Sequence, residues 1–382
     1  MAHIFINGIS AKSGGGKSIL TNFLTVLKSQ GSYHKFTVLV PDANSYQRFI
    51  DANINVISFP FLSKQALLPL TTTFVLPRLV RRLGCDLVFN PADLPIPSDL
   101  PQLFLFDWPY AAYPDSIAWK RGGVVDTSKR RLKYHLFRSY LSFVDVLIAQ
   151  GPALRERLIR LYGINNIPIV PNAVSVNNID TSHFCDFGLD VGFKLLCLSH
   201  YYSHKNLEIF IELAELIRAN DLDWKIVITI HPDQGAGARR LLNEIKSRSL
   251  THIICNVGPV SMNDVPSLYR QCDALLLPTL LESFSGTYVE AMFHGKPIFT
   301  SKYEFAIDVC RDSAWYFDPL DVKDIFQCIR AAIKNPELME HKIVVGKECL
   351  GSMLNWDQAF NAYMTLINGL LEKKHEKTLP NL

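Results

Sequence analysis

Two glutamates, Glu282 and Glu290, bracket the stretch ESFSGTYVE, with Ser285, Gly286 and Thr287 between them. Small side chains leave backbone amides open to an anion, and a helix that starts there adds its positive end. The spacing therefore offers an anion pocket with a carboxylate on either side to accept hydroxyl hydrogen bonds. A nucleotide diphosphate flanked by two sugars is the ligand that fits. The same residues also read as a capped core helix with two solvated glutamates. On a continuous helix, the residues from Glu282 to Glu290 would rise about 12 Å along the axis. That exceeds the separation of an acid and a nucleophile in a glycosidase, so the pair is expected to bind two ends of one ligand.

Other residues offer related chemistry. Lys205, in SHYYSHKN, stands at the start of a helix just after a strand, where a cation and free amides together suit a phosphate. His231 ends a strand in ITIHPD and lines the same crevice or serves as a hydrogen-bonded loop histidine. Ala11–Ser18, AKSGGGKS, follows a relaxed phosphate-loop pattern between a strand and a helix, which makes a P-loop nucleotide hydrolase or kinase a competing reading. Asp107, in DWPY after LFLF, is placed beside aromatic rings to bind sugar hydroxyls, or else forms a turn before proline. Asp221-Leu222-Asp223 has the form of a metal-holding pair, but it precedes a strand and reads as a turn.

The elements that must position these residues alternate along the chain. Short apolar runs at His3–Asn7, Phe36–Val40, Asn55–Phe59, Asp86–Asn90, Leu103–Phe106, Asp145–Ala149 and Ile167–Val170 read as strands. Helical spacing covers Lys17–Gln30, Ser128–Ser142 and Pro152–Tyr162. After the turn-rich Val170–Asn178 a second alternation begins. Its strands are Phe193–Leu198, Trp224–Ile230, His252–Asn256, Ala274–Pro278, Pro297–Thr300 and Ala314–Phe317, with helices between them. Two parallel sheets covered on both faces follow, with ligands expected at the carboxyl ends of the strands. A last helix, Trp356–Leu371, carries one apolar face that must pack on something, and the charged tail after Glu372 is expected to fray.

At 382 residues, 48% hydrophobic, the chain is long enough for two cores. Eight cysteines never approach a C-x-x-C spacing and read as buried thiols of a reducing cytosol. No apolar span reaches 18 residues and no signal peptide is read, so a cytoplasmic protein is expected. Residues 1–175 hold 19 of the 39 Lys/Arg but only 10 of the 36 Asp/Glu, a balance of +9 against −6 for the remainder. Arg78, Arg81 and Arg82 follow an apolar segment, and Lys129, Arg130, Arg131, Lys133 and Arg138 lie among apolar residues. Such faces suit an anionic membrane or acceptor, or are solvated helix surfaces.

With these residues laid out, the chain resembles the retaining glycosyltransferases of family 4, in the second half through Glu282-x7-Glu290, Lys205-Asn206, the run from Asn256 to Ser283, and VPNAVS. The first half matches more loosely, through the glycine stretch, Asp107 and QGPALRERLIRLYG. The resemblance implies a GT-B fold of two Rossmann-like domains facing across a cleft: residues 1–175 bind acceptor, 176–355 bind nucleotide sugar, and 356–382 form a helix crossing back to the first domain.

It also implies roles. Glu282, Lys205 and Asp107 would be catalytic: Glu282 on the donor sugar, Lys205 on the diphosphate leaving group in place of a metal, and Asp107 on the acceptor side. Glu290 would bind ribose, Ser285, Gly286 and Thr287 would give amides to the diphosphate, Gly15 and Gly16 would approach it, and the base would lie near Val260. His200 stands where the family commonly has an arginine, and Phe106 where it often has a histidine. The implied reaction is sugar transfer from a nucleotide-diphosphate sugar to a glycan, lipid-linked or small-molecule acceptor in cell-surface polysaccharide synthesis. No metal cofactor and no nucleic acid are expected, and peripheral contact with the inner face of an anionic membrane is. A GT-B-like protein that binds a nucleotide sugar without transferring it is the other alternative.

Overall fold

The computed structural model of the protein describes residues 1–12, 14–64, 66–173 and 183–378. Among them, twelve strands of three to six residues form two sheets, and every pairing is parallel. The first holds β1 (His3–Asn7), β2 (Lys35–Val40), β3 (Ile54–Ser58), β4 (Leu87–Asn90), β5 (Gln102–Leu105) and β6 (Val146–Ile148), in the order β3-β2-β1-β4-β5-β6. The second holds β7 (Phe193–Cys197), β8 (Trp224–Ile228), β9 (Ile254–Asn256), β10 (Ala274–Leu277), β11 (Ile298–Ser301) and β12 (Ala314–Phe317). Its order, β12-β11-β10-β7-β8-β9, is the same doubly wound plan. Strands covered on both faces must be apolar throughout rather than alternating, and β4, β5, β10 and β11 are buried at every residue.

The chain divides into two units. One comprises Met1–Pro114, Val124–Ala173 and Leu354–Leu382; the other comprises Asp115–Gly123 and Val174–Met353. The junction expected at 175/176 lies outside the described residues, as does most of VPNAVSVNN. The last helix runs Trp356–Thr378 and belongs to the first unit. Its apolar face is buried there: the rings of Phe360 and Tyr363 lie 5.0 and 6.1 Å from that of Phe23, tilted and edge-on, and Tyr363 lies 5.3 Å from Phe89. Gly8 is required at the end of β1, because a Cβ there would stand 2.4 Å from Leu20 Cδ2 and 2.8 Å from the Leu39 carbonyl.

Four expectations are corrected. Ile167–Val170 is not a strand but a single bridge between Ile169 and Ala149, since the residues around Pro168 make no ladder. The helix after the glycine stretch starts at Gly14, not Lys17, so that Gly15 and Gly16 occupy its first turn. The helix expected at Ser128–Ser142 is Val124–Tyr140. The final helix does not fray at Glu372 but continues to Thr378, with Lys374 reaching Asp86 at 3.3 Å. The sixteen-residue helix Pro336–Gly351 also went unread, although Asn335 accepts from the Leu338 amide at 3.1 Å and Pro336 opens it, both ordinary start signals. The cysteines are free thiols, and burial pushes those of Cys85, Cys197, Cys272 and Cys328 up to about 12.

Candidate active site

In the second sheet the strand order reverses between β7 and β10, and two loops leave their carboxyl ends on either side of that point. The β7 loop ends in a turn at Ser203–Lys205, after which Asn206 takes a left-handed conformation (φ 57°) and donates to the Pro319 carbonyl at 2.7 Å. The β10 loop is tied to it: the Leu280 amide donates to the His204 carbonyl at 2.7 Å. These constraints bring Lys205 Nζ onto Glu282 Oε1, a pair with side chains only 15% and 10% exposed. The Thr279 hydroxyl supports the same oxygen at 3.0 Å. Lys205 and Glu282, expected as separate groups for phosphate and for sugar, pair with each other in the structure. A buried pair of this kind is costly to break singly, by about 3–5 kcal/mol when one partner is removed.

The helix Gly286–Phe293 begins where the β10 loop ends. Ser285 precedes it in extended conformation and makes no side-chain cap; its hydroxyl pairs with that of Thr287 at 2.9 Å. A Cβ built at Gly286 would meet nothing within 4 Å, so the space on that side of the first turn is open. Only half of the Glu282–Glu290 separation is helical, and the 12 Å ruler assumed for a continuous helix does not apply.

Glu290 is half-buried, and burial raises its carboxyl to about 7, while the Tyr269 hydroxyl at 3.3 Å pulls the other way. Tyr269 also lies 3.2 Å from the Thr287 carbonyl and stacks on His294 at 4.8 Å. Burial, with Lys296 and Arg270, depresses His294 to about 4. Tyr269 was not singled out from the sequence; its place in a short helix ahead of β10 gave no chemical signal.

The remaining residues of this unit fall nearby or lower in rank. Gln234 donates to His200 Nδ1 at 2.7 Å. His231 ends the segment after β8, and its Nδ1 accepts from the Asp233 amide at 3.2 Å, the loop-histidine arrangement. Val260 is half-buried in the loop after β9. Asp221 turns the chain (φ 49°) ahead of β8, and Asp223 pairs with Lys225 at 3.4 Å, as expected of a turn.

In the first unit, Asp107 follows β5. It accepts from Gln150 Nε2 at 2.9 Å, and the same amide reaches the Phe106 carbonyl at 3.1 Å. Lys133 bonds Asp93 at 2.5 Å and lies 4.2 Å above the Trp108 ring, while Arg130 lies 4.7 Å above Tyr110. Burial lowers the Lys133 ammonium, against Asp93 and Asp107, which raise it. Acid, amide, cation and rings thus gather around Asp107; Gln150 and Asp93 were missed because each stands alone in its own sequence neighbourhood.

Comparison with known proteins places both halves. Residues 13–178 match the model of "Glycosyltransferase Family 4", and residues 190–347 that of "Glycosyl transferases group 1". A mannosylfructose-phosphate synthase of Agrobacterium fabrum is 23% identical over 63% of this chain and 56% of its own length. The chain spans less than two thirds of the curated relatives it matches. Among solved structures, a sucrose-phosphate synthase of Thermosynechococcus elongatus superposes with a TM-score of 0.74 at 14% identity, over 98% of this chain and all of that one. HepE of Anabaena, in complex with UDP and glucose, does so at 0.70 and 14%, over 96% and 100%. The fold is GT-B.

Proposed function

We propose that the chain, whose two parts match a family 4 and a group 1 glycosyltransferase model, transfers a sugar, with retention, from a nucleotide-diphosphate sugar to a glycan, lipid-linked or small-molecule acceptor. The observation that carries this reading is the Lys205–Glu282 pair at the switch point of the second sheet, beside the start of the Gly286–Phe293 helix. A neighbour of the same fold solved with UDP and glucose supports a nucleotide and a sugar as the ligand's two parts.

In the proposed reaction the bond between the anomeric carbon and the diphosphate breaks, and its electron pair leaves with the phosphate oxygen. Lys205 and the amides of Ser285, Gly286 and Thr287 stabilise that charge without a metal, and Glu282 faces the cationic sugar. The acceptor oxygen attacks the same face, and its proton goes to the departing phosphate. Glu290 holds the ribose and Val260 marks the base, with His200 and His231 on the neighbouring loops. Gly15 and Gly16 are assigned to the donor's phosphates and Asp107, with Trp108 and Tyr110, to the acceptor. A role in cell-surface polysaccharide synthesis, in the cytoplasm and at its membrane, belongs to the same reading. No helix among the described residues is long and apolar enough to cross a membrane.

The test is incubation with UDP-, GDP- and dTDP-sugars in EDTA, following nucleotide release. One of them is expected to turn over, and Glu282→Gln to abolish the reaction while Lys17→Ala leaves it. Release stopped by EDTA and by Lys17→Ala, yet indifferent to Glu282→Gln, would overturn the reading in favour of a P-loop hydrolase.

A further inference from the structure

Thr279 carries a hydroxyl in a place built for apolar side chains. It follows β10 in the run ALLLPTLLE, is fully buried, and is flanked by Leu280 and Leu281, which are buried as well. A buried hydroxyl is costly unless its proton finds an acceptor. Three oxygens lie within reach of Thr279 Oγ1: Glu282 Oε1 at 3.0 Å, and the carbonyls of His204 and Leu281 at 3.3 Å each. One proton serves one of them at a time. The carboxylate is the nearest of the three and, paired with a cation, the strongest acceptor. The His204 carbonyl does not depend on Thr279, since it already receives the Leu280 amide at 2.7 Å.

Glu282 is therefore held from two sides. Lys205 reaches it from the β7 loop and Thr279 from the β10 loop, and both meet the same oxygen, Oε1. Among the described residues Oε2 accepts no hydrogen bond, which leaves that oxygen to a ligand. The two donors differ in how firmly they are placed. Thr279 is a short side chain just beyond a strand buried at every residue, whereas Lys205 carries its ammonium on a flexible four-carbon stem and has a second anion to serve once a diphosphate is bound. Movement of that ammonium toward phosphate leaves a buried carboxylate short of its partner. The other ionisable groups near Glu282 are the Cys197 thiol and the Tyr288 phenol. Neither is a cation, and the Tyr288 hydroxyl is engaged with that of Thr300 at 2.7 Å.

We infer that Thr279 is a positioning residue for the transfer: its hydroxyl holds Oε1 of Glu282 while Lys205 engages the diphosphate, and so keeps Oε2 turned to the sugar. This rests on the donor-site reading above.

The experiment compares wild type with Thr279→Val, Thr279→Ala and Thr279→Ser in the full chain. Nucleotide release from UDP-, GDP- and dTDP-sugars is followed in EDTA, and binding of the matching diphosphates by calorimetric titration. Thr279→Val and Thr279→Ala remove the hydroxyl at two different volumes, so an effect common to both belongs to the hydroxyl and not to packing. In both, kcat with the preferred sugar is expected to fall about ten- to a hundredfold while diphosphate affinity stays unchanged, and Thr279→Ser is expected to restore most of the rate. A merely structural role would loosen both loops and weaken diphosphate binding together with turnover. Undiminished kcat in Thr279→Val or Thr279→Ala, an equal loss of affinity and rate, or a Thr279→Ser protein no faster than Thr279→Val overturns the inference while leaving the donor site standing. A wild-type protein that releases nucleotide from none of the sugars overturns both.

Discussion

Glu290 and Glu282, read from sequence as a matched pair, have opposite electrostatic settings. Glu282 is buried but holds a cation; Glu290 is half-buried against the Tyr269 phenol, and burial raises its carboxyl to about 7. A raised carboxyl has a definite consequence for stability. Between the ordinary value of 4.5 and about 7 the unfolded chain is ionised at this position and the folded chain is protonated. The folded state then binds more protons, and stability falls as pH rises through that window. The ceiling is about 3 kcal/mol, at ~1.4 kcal/mol for each pH step. Glu290→Gln should remove this slope. Melts of the ligand-free protein at pH 5 and pH 7 should show the variant gaining on wild type at pH 7; a difference between the two proteins that does not move with pH would contradict the assignment.

At the scale of elements, the helical run that ends in Leu76–Arg82 divides its faces sharply. Thr71, Thr72, Leu76 and Val80 are buried, and Leu76 and Val80 pack under β1 and β4 with Phe5 and Val88. The other face leaves Leu70 and Phe74 more than half exposed, with Phe61 beside the run at 65% and Lys64 lying 5.0 Å above its ring. Arg78, which donates to the Phe74 carbonyl at 2.6 Å, Arg81 and Arg82 continue that face. Exposed aromatics with cations along one helix face are suited to the headgroup layer of an anionic membrane, and this element is where we propose the peripheral contact. Sedimentation with vesicles containing phosphatidylglycerol should fall with rising salt and be lost in Phe61→Ser/Phe74→Ser, whereas neutral vesicles should not bind. Equal binding by variant and wild type would move the contact elsewhere on the protein.

Across the whole molecule, what could be read in advance depended on how local its cause was. Each sheet was legible because a strand buried on both faces must be an apolar run, and β4, β5, β10 and β11 are such runs. Strand ends were less so: Ile167–Val170 is equally apolar yet makes one bridge, because pairing depends on a partner and not on composition. In the site, Glu282, Lys205 and the amides at Gly286 were visible from residue type and spacing. Their mutual pairing was not, since Lys205 and Glu282 meet only when β7 and β10 lie side by side. Gln150 and Tyr269 carry no motif and gain their place solely from tertiary contacts. The grouping of Asp115–Gly123 with the second unit had no local cause at all.

We place the nucleotide-sugar donor between the β7 and β10 loops of the second unit. A crystal structure of the protein soaked with UDP, GDP or dTDP tests it most directly. A diphosphate is expected on the amides of Gly286 and Thr287, within hydrogen-bond reach of Lys205, with the ribose hydroxyls on Glu290. A nucleotide whose phosphates sit instead on the Ala11–Ser18 stretch, with nothing bound at Lys205 and Glu290, would contradict it.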